Sequence, residues 1–485
     1  MKKYILSLAA FAAIAGTGCR KIESDGEKEI IIVTQPGTGG QGSTITLQGR
    51  INADTILRKQ NTYILKGIVY MVGNHTMTIE PGTTIKGSFS GTDVAALVIT
   101  RGSKINAQGT AGEPIIFTSA APNPQSGDWG GIVVCGKASV NSAFAGTGGG
   151  PGIYEVEGGI NNSNGDGLAG GGATPDDNDN SGVLSYVRIE YAGYAFQPDK
   201  EINSLTMAAV GRGTTIDHIQ VVYAKDDAFE WFGGTVNCKY LIAFKTQDDD
   251  FDTDNGYSGK VQFGIVLRDS LIADISNSQA FESDNNATGT TASPKTSAVF
   301  SNITAIGPKA TLNNSGNTLF RGATHIRRNT AISIYNSIIL GWPRGIEIDA
   351  TLGSSTALNI EDSTLRLRNI TIAGCGTNTR FSGTAGATIN NDATFLTWFS
   401  NPFYNNDFLA NTADAKLIQP FNYTAPDPTP FAGSNGNQKV LTGAGFTDAK
   451  FTSDTFFEKT ITFRGAVAPA GELASWWKGW TKWNY

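Results

Sequence analysis

Residues 224–256 read AKDDAFEWFGGTVNCKYLIAFKTQDDDFDTDNG, and the stretch states one pattern twice. Asp226-Asp227-Ala228-Phe229-Glu230 returns 22 residues on as Asp248-Asp249-Asp250-Phe251-Asp252. The apolar runs before each, residues 219–223 and 240–244, stand 21 apart. A repeat that short, made of one apolar run and one turn, is about one rung of a β-solenoid. Adjacent rungs lie roughly 4.8 Å apart, so equivalent side chains form columns. Carrying the register on to Phe281-Glu282 stacks Glu230, Asp252 and Glu282 and sets Asp254 over Asp284. The phenylalanine before each of the three fixes which side that acid faces. Carboxylates at this spacing repel one another unless a cation lies beside them.

The same rhythm extends in both directions. Residues 187–192 (VRIEYA) match residues 219–224 (IQVVYA) at an offset of 32, and Asn302, Asn336 and Asn369 begin similar strands at offsets of 34 and 33. Stacked asparagines are expected to form an amide ladder at one corner. From Ser43 onward short β-branched runs alternate with Gly-containing corners, and helical periodicity is absent. The fold class expected is all-β, a right-handed parallel β-helix over residues 43–388 of about a dozen rungs. A propeller would need four strands per roughly 40-residue blade, and no such blade is present. Residues 146–182 form a Gly/Asn/Asp-rich insertion, longer than a plain connection in a compact domain. Residues 389–485 read as short helices, with Asp392 as an N-cap candidate, and a cap carrying Trp476, Trp477, Trp480 and Trp483. Such a cap would close the open end of the solenoid.

The N-terminus reads as a targeting segment. Lys2-Lys3 precedes an apolar run over residues 4–15 that is too short to span a bilayer. Gly16-Thr17-Gly18-Cys19 resembles a lipobox, which makes residues 1–18 a lipoprotein signal peptide, Cys19 the lipidation site and residues 19–42 a flexible tether. Acyl chains contribute about 0.8 kcal/mol per buried methylene, so a diacylated Cys19 anchors the chain to a membrane. The formal net charge is −6, and removal of Lys2 and Lys3 leaves −8. An acidic chain of this kind is a poor partner for nucleic acid. Cys135, Cys238 and Cys375 are too scattered for a zinc site and read as small buried residues, and the three histidines show no metal-ligand spacing.

Together IEPGTTIKG, GEPIIFTS, GDWGGIVV, SGVLSYVRIEYAG, DDAFEWFGGTVN, DDDFDTDNGYSGKVQFG and the terminal WWKGWTKW resemble a family of Bacteroidota cell-surface lipoproteins built on a pectate-lyase-like β-helix. The resemblance runs from about Ser43 to the C-terminus. It implies an outer-membrane location facing outward and a TonB-dependent receptor as a possible partner. It implies no particular activity. The transporter names this family often carries do not suit a sequence without a spanning helix or barrel strands with aromatic girdles.

The acidic turns carry the chemistry. Asp227, Glu230, Asp249, Asp252, Asp254, Glu282 and Asp284 are candidate ligands for Ca²⁺, which takes six to eight hard oxygens. Residues 250–256 do not form an EF-hand loop, because Gly256 stands one place late and no glutamate closes it. The alternative is a solvated acidic face partly neutralised by Arg321. A Ca²⁺-dependent polysaccharide lyase would draw its base from Arg321, Arg327 or Arg328, where clustered cations lower one another's pKa. A hydrolase would pair Asp227 with Asp249. The reading favoured by the sequence is a non-catalytic binding or structural lipoprotein for a glycan or a partner outer-membrane protein. Trp231 and Tyr257 are its expected carbohydrate-stacking residues.

Overall fold

The computed structural model describes residues 33–35, 42–197, 200–313, 316–383 and 388–485. The predicted signal segment, Cys19 and most of the tether lie outside these residues. Twenty-seven strands join in one sheet system, and almost every pairing is parallel. They fall into three columns, so each turn of the chain crosses three sheets in succession, as a parallel β-helix requires. The longest column rises through twelve strands, from Thr44–Ile51 to Asp407–Leu409. Pairing therefore continues past residue 388.

From Gly182–Glu190 onward the first two sheets are crossed by single strands bent at one residue. That residue is Tyr186, His218, Tyr240, Phe263 and Asn302 on successive rungs, with φ of 52°, 51°, 60°, 66° and 60°. Asn336 and Asn369 continue the column at 52° and 58°. The expected ladder does not join Asn302, Asn336 and Asn369 to one another, but Asn405 on the following rung donates to Asn369 Oδ1 at 3.1 Å. Asn302 Nδ2 bonds the Phe463 carbonyl at 3.0 Å, Asn336 Nδ2 the Ser301 hydroxyl at 3.0 Å, and Asn369 Nδ2 the Gly445 carbonyl at 3.4 Å. Asparagine suits this corner because it tolerates the left-handed region.

Val187, Ile219, Leu241 and Ile303 point inward with the fully buried Phe229, Phe251 and Phe281 to form a continuous core. The offset of 21 between residues 219–223 and 240–244 is corrected to 22, since Ile219 pairs with Leu241 and Val222 with Phe244. A one-residue slip would turn every side chain to the opposite face. Cys135, Cys238 and Cys375 are buried free thiols.

Two further corrections concern the C-terminal region. Helix Asp392–Phe399 packs Phe395 and Phe399 onto the main core, with Asn391 rather than Asp392 as its N-cap. Asp392 instead accepts from the Phe381 amide at 2.6 Å. The tryptophan segment lies along the side of the solenoid, not over its end. Trp476 and Trp480 pack with Tyr186, Tyr240, Ile242, Phe263 and Ile265, covering a ladder whose ring centroids step by 4.1 Å (Tyr186–His218), 4.4 Å (His218–Tyr240) and 5.2 Å (Tyr240–Phe263).

Candidate functional site

The third sheet carries an outward column that explains the acidic turns. Thr206, Glu230, Asp252, Glu282 and His325 are successive partners across parallel strands. Phe229, Phe251 and Phe281 pair in the same register one residue earlier, so the phenylalanines fill the core and the acids face out. The turn entering this sheet supplies Asp226, Asp227, Asp248 and Asp249. Two of these aspartates are tied to the next rung: Asp227 Oδ1 accepts from the Asp249 amide at 2.8 Å, and Asp249 Oδ1 from the Gln279 amide at 2.6 Å. The Asn203 side chain donates to Glu230 and accepts from the Asp227 amide at 3.2 Å.

These groups converge on a cleft of about 240 Å³ lined by Glu157, Glu201, Asp226, Asp227, Glu230, Asp248, Asp249, Asp252 and Glu282, with Arg327 as the sole basic group of the lining among the described residues. Within it three carboxylate triplets overlap, namely Asp226/Asp227/Asp248, Asp227/Glu230/Asp252 and Asp249/Asp252/Glu282. In each, one oxygen per residue lies within 4.8 Å of the others. Oxygens on opposite sides of one Ca²⁺ stand about 4.8 Å apart, so every triplet can share a cation. Asp252 Oδ1 is buried and has no hydrogen-bond partner among the described residues.

The electrostatics divide the cleft in two. At one end Glu282 meets Arg327 and His325, the latter at 3.5 Å. Burial pushes the Glu282 carboxyl up, but His325 and Arg327 outweigh it and hold it at about 2. His325 also bonds Asp349 at 3.0 Å, and although burial works against its charged form the two carboxylates raise its pKa. At the other end burial and mutual repulsion raise Asp226, Asp227, Glu230, Asp249 and Asp252 well above the usual carboxylate range. Asp248 is pushed up to about 7, chiefly by burial. Among the described residues Asp226, Asp227, Glu230, Asp248, Asp249 and Asp252 form no ion pair, and a divalent cation would supply the missing charge.

Of the residues expected as ligands, Asp227, Glu230, Asp249, Asp252 and Glu282 come together. Asp254 and Asp284 stand two places further along their strands and do not line the cleft. Asp284 gives one oxygen to Arg327 at 2.9 Å and the other to Arg328 at 2.7 Å. Glu157 and Glu201 escaped the sequence reading because no repeat register reaches them. Glu157 arrives from the insertion, which folds down on this sheet through Val156, Ile160 and Ala169 and through the Tyr70 hydroxyl on the Ile160 carbonyl at 2.7 Å.

Trp231 and Tyr257 are corrected outright. Both are fully buried in the main core, stacked on each other at 5.3 Å, and no ligand at the surface reaches them. The candidate bases fare little better. Arg321 donates to both oxygens of Glu347, at 3.1 and 2.8 Å. Arg327 is partly buried, and although desolvation works against its charge, Glu282 and Asp284 raise its pKa overall. Guanidinium groups held by carboxylates stay charged and do not abstract protons.

Residues 49–411, three quarters of the chain, match the family model described as pectate-lyase like beta helix domain. No curated protein matches the chain.

Proposed function

The chain belongs to the pectate-lyase-like beta-helix family, and from that premise we propose that it is a non-catalytic binding module of the outer-membrane surface, lipid-anchored through Cys19, whose acidic cleft holds Ca²⁺. Its membership of the Bacteroidota surface-lipoprotein group, with a glycan or a TonB-dependent receptor as partner, is part of the same proposal. The observation that carries the reading is the set of overlapping carboxylate triplets facing one guanidinium. Hard oxygens at this spacing favour Ca²⁺, and the solenoid keeps them in place without a metal-induced fold. A Ca²⁺-dependent lyase is the second reading, because a cation on this face could also neutralise a uronate. The pairing of Arg321, Arg327 and Arg328 with acids weighs against it.

Calorimetric titration of CaCl₂ into EDTA-treated protein tests the cation, with Asp252→Asn as the control. Saturable binding that the substitution weakens at least tenfold supports the proposal, and an absence of heat removes it. Incubation with polygalacturonate decides between the two readings: growth in absorbance of the unsaturated product would make the chain a lyase.

A further inference from the structure

The three carboxylate triplets of the acidic cleft are not equivalent. The first, Asp226/Asp227/Asp248, and the third, Asp249/Asp252/Glu282, have no residue in common, while the middle one shares Asp227 with the first and Asp252 with the third. No triplet joins Asp226 or Asp248 to Asp249 or Glu282, so the oxygens of the two outer sets do not converge on one point. Nine carboxylates face one guanidinium in the described lining. A single divalent ion would leave most of that repulsion in place.

A buried side chain outside the triplets marks the Glu282 end. Gln279 is 2 % exposed and is tied to two members of the third set: its backbone amide donates to Asp249 Oδ1 at 2.6 Å and its Nε2 to Glu282 Oε2 at 2.9 Å. Its Oε1 is buried and has no hydrogen-bond partner among the described residues, and Asp252 Oδ1 of the same set is left in the same way. Buried polar atoms are rarely unpaired. Two acceptors held among carboxylates suit a cation, and an amide carbonyl is an ordinary Ca²⁺ ligand. The opposite end is built from other parts. Glu157 from the insertion and Glu201 from the short strand Lys200–Glu201 reach the same lining, and both stand near enough to Asp226 for their charge to raise its pKa.

We infer that the cleft takes two divalent cations, one held by Asp249, Asp252, Glu282 and the Gln279 carbonyl, the other by Asp226, Asp227 and Asp248 at the Glu157 and Glu201 end. Asp227 and Asp252, each common to two triplets, link the two ions. The ions differ in what they fasten. The first joins neighbouring rungs of the solenoid. The second ties the insertion and the strand near residue 200, which lie outside the repeat, onto the third sheet. The inference rests on the calcium reading of this cleft and adds the number of ions, their separate ligands and the fastening of the insertion.

Equilibrium dialysis of EDTA-stripped protein against radiolabelled CaCl₂ counts the ions on the parent, Asp226→Asn, Gln279→Met and the double variant. The expected result is two ions per chain, one weakened at least tenfold by each single substitution and both by the double. Calcium should slow hydrogen exchange in residues 153–160 of the parent and of Gln279→Met, but not of Asp226→Asn. The inference falls if the parent binds one ion, if the double variant binds as either single variant does, or if exchange in the insertion is indifferent to calcium. Should Gln279→Met fail to fold by circular dichroism, Asp226→Asn decides by whether it keeps one ion of two. A parent that binds no calcium removes the reading of the cleft as well, whereas a parent that binds one ion removes only this inference.

Discussion

Arg268 and Asp250 form an ion pair, Nη1 to Oδ1 at 3.1 Å, in which neither side chain is exposed. Arg268 Nη2 also bonds the Gln247 carbonyl at 3.0 Å, and the guanidinium lies 5.2 Å over the Phe320 ring. The pair thus pins the turn that gives Asp248 and Asp249 to the acidic cleft. Arg268→Met strands a buried carboxylate and should cost about 3–5 kcal/mol. Arg268→Met combined with Asp250→Leu should recover much of that loss, because no charge is left unpaired. Urea unfolding of the three proteins checks this, and a single variant as stable as the parent would refute it.

The acidic cleft sets a pH dependence whose sign is fixed by the direction of its shifts. Asp248 in the cleft is raised to about 7 and Asp254 beside it to about 8, both chiefly by burial, with Asp227, Glu230, Asp249 and Asp252 also raised. Folded values above unfolded ones contribute stability that is complete below the unfolded carboxylate range and is lost as pH rises through the folded values. In EDTA the melting temperature should therefore fall between about pH 5 and about pH 8. Millimolar CaCl₂ should reduce that fall by mass action. Melting curves that decline equally with calcium and with EDTA would leave the column a solvated acidic face.

Asp252→Asn follows from the same geometry with the opposite sign in the two conditions. It removes one charge from two of the triplets, and relieving repulsion at about 5 Å contributes roughly 1–3 kcal/mol between water-like and partly excluded surroundings. In EDTA near pH 8 the variant should melt higher than the parent, and in calcium it should gain less. A variant less stable than the parent in EDTA would mean that Asp252 is held by contacts and not opposed by its neighbours.

The register of the third sheet was legible because phenylalanine and acid recur as a pair, so Phe229, Phe251 and Phe281 announce both spacing and facing. The second sheet was harder to place. Residues 219–223 and 240–244 share only apolar character, and a slip of one residue leaves the pattern intact to the eye. The corner residue His218 pairs with Tyr240 at φ near 50–60°, a strain that nothing in the sequence marks. Trp231 and Tyr257 were misplaced for a related reason. Aromatic residues beside acidic turns suit a sugar platform and a solenoid core equally, and facing depends on the parity of the strand. Glu157 and Glu201 meet the column only through tertiary contacts of the insertion and of the short antiparallel pair of strands Ala195–Gln197 and Lys200–Glu201. Pattern reading has no access to such contacts.

Cys19 lies outside the described residues, and its role is tested in cells. Two or more acyl chains give stable anchoring, whereas one gives marginal binding. Cys19→Ala should move the protein from the membrane fraction to the soluble fraction while leaving the β-helix folded. Protease added to intact cells should digest the anchored parent if it faces outward. Equal detergent partitioning of parent and variant would remove the lipid anchor from the proposal.

Trp480 ties the C-terminal segment to the side of the solenoid. It is 1 % exposed and meets Tyr186 edge-on at 5.7 Å and His218 at 5.8 Å. Its indole Nε1 donates to the Trp476 carbonyl at 2.8 Å, and its own carbonyl accepts from Arg188 at 3.2 Å. Trp480→Ala removes that packing at a cost of about 3–5 kcal/mol. The ladder beneath is held by parallel pairing on both sides, so the loss should fall on the segment and not on the whole fold. The expected outcome is rapid proteolysis within residues 466–485, with hydrogen-exchange protection of strand Asn237–Phe244 retained. Loss of protection throughout the strands would show instead that the tryptophan segment is part of one cooperative unit with the solenoid.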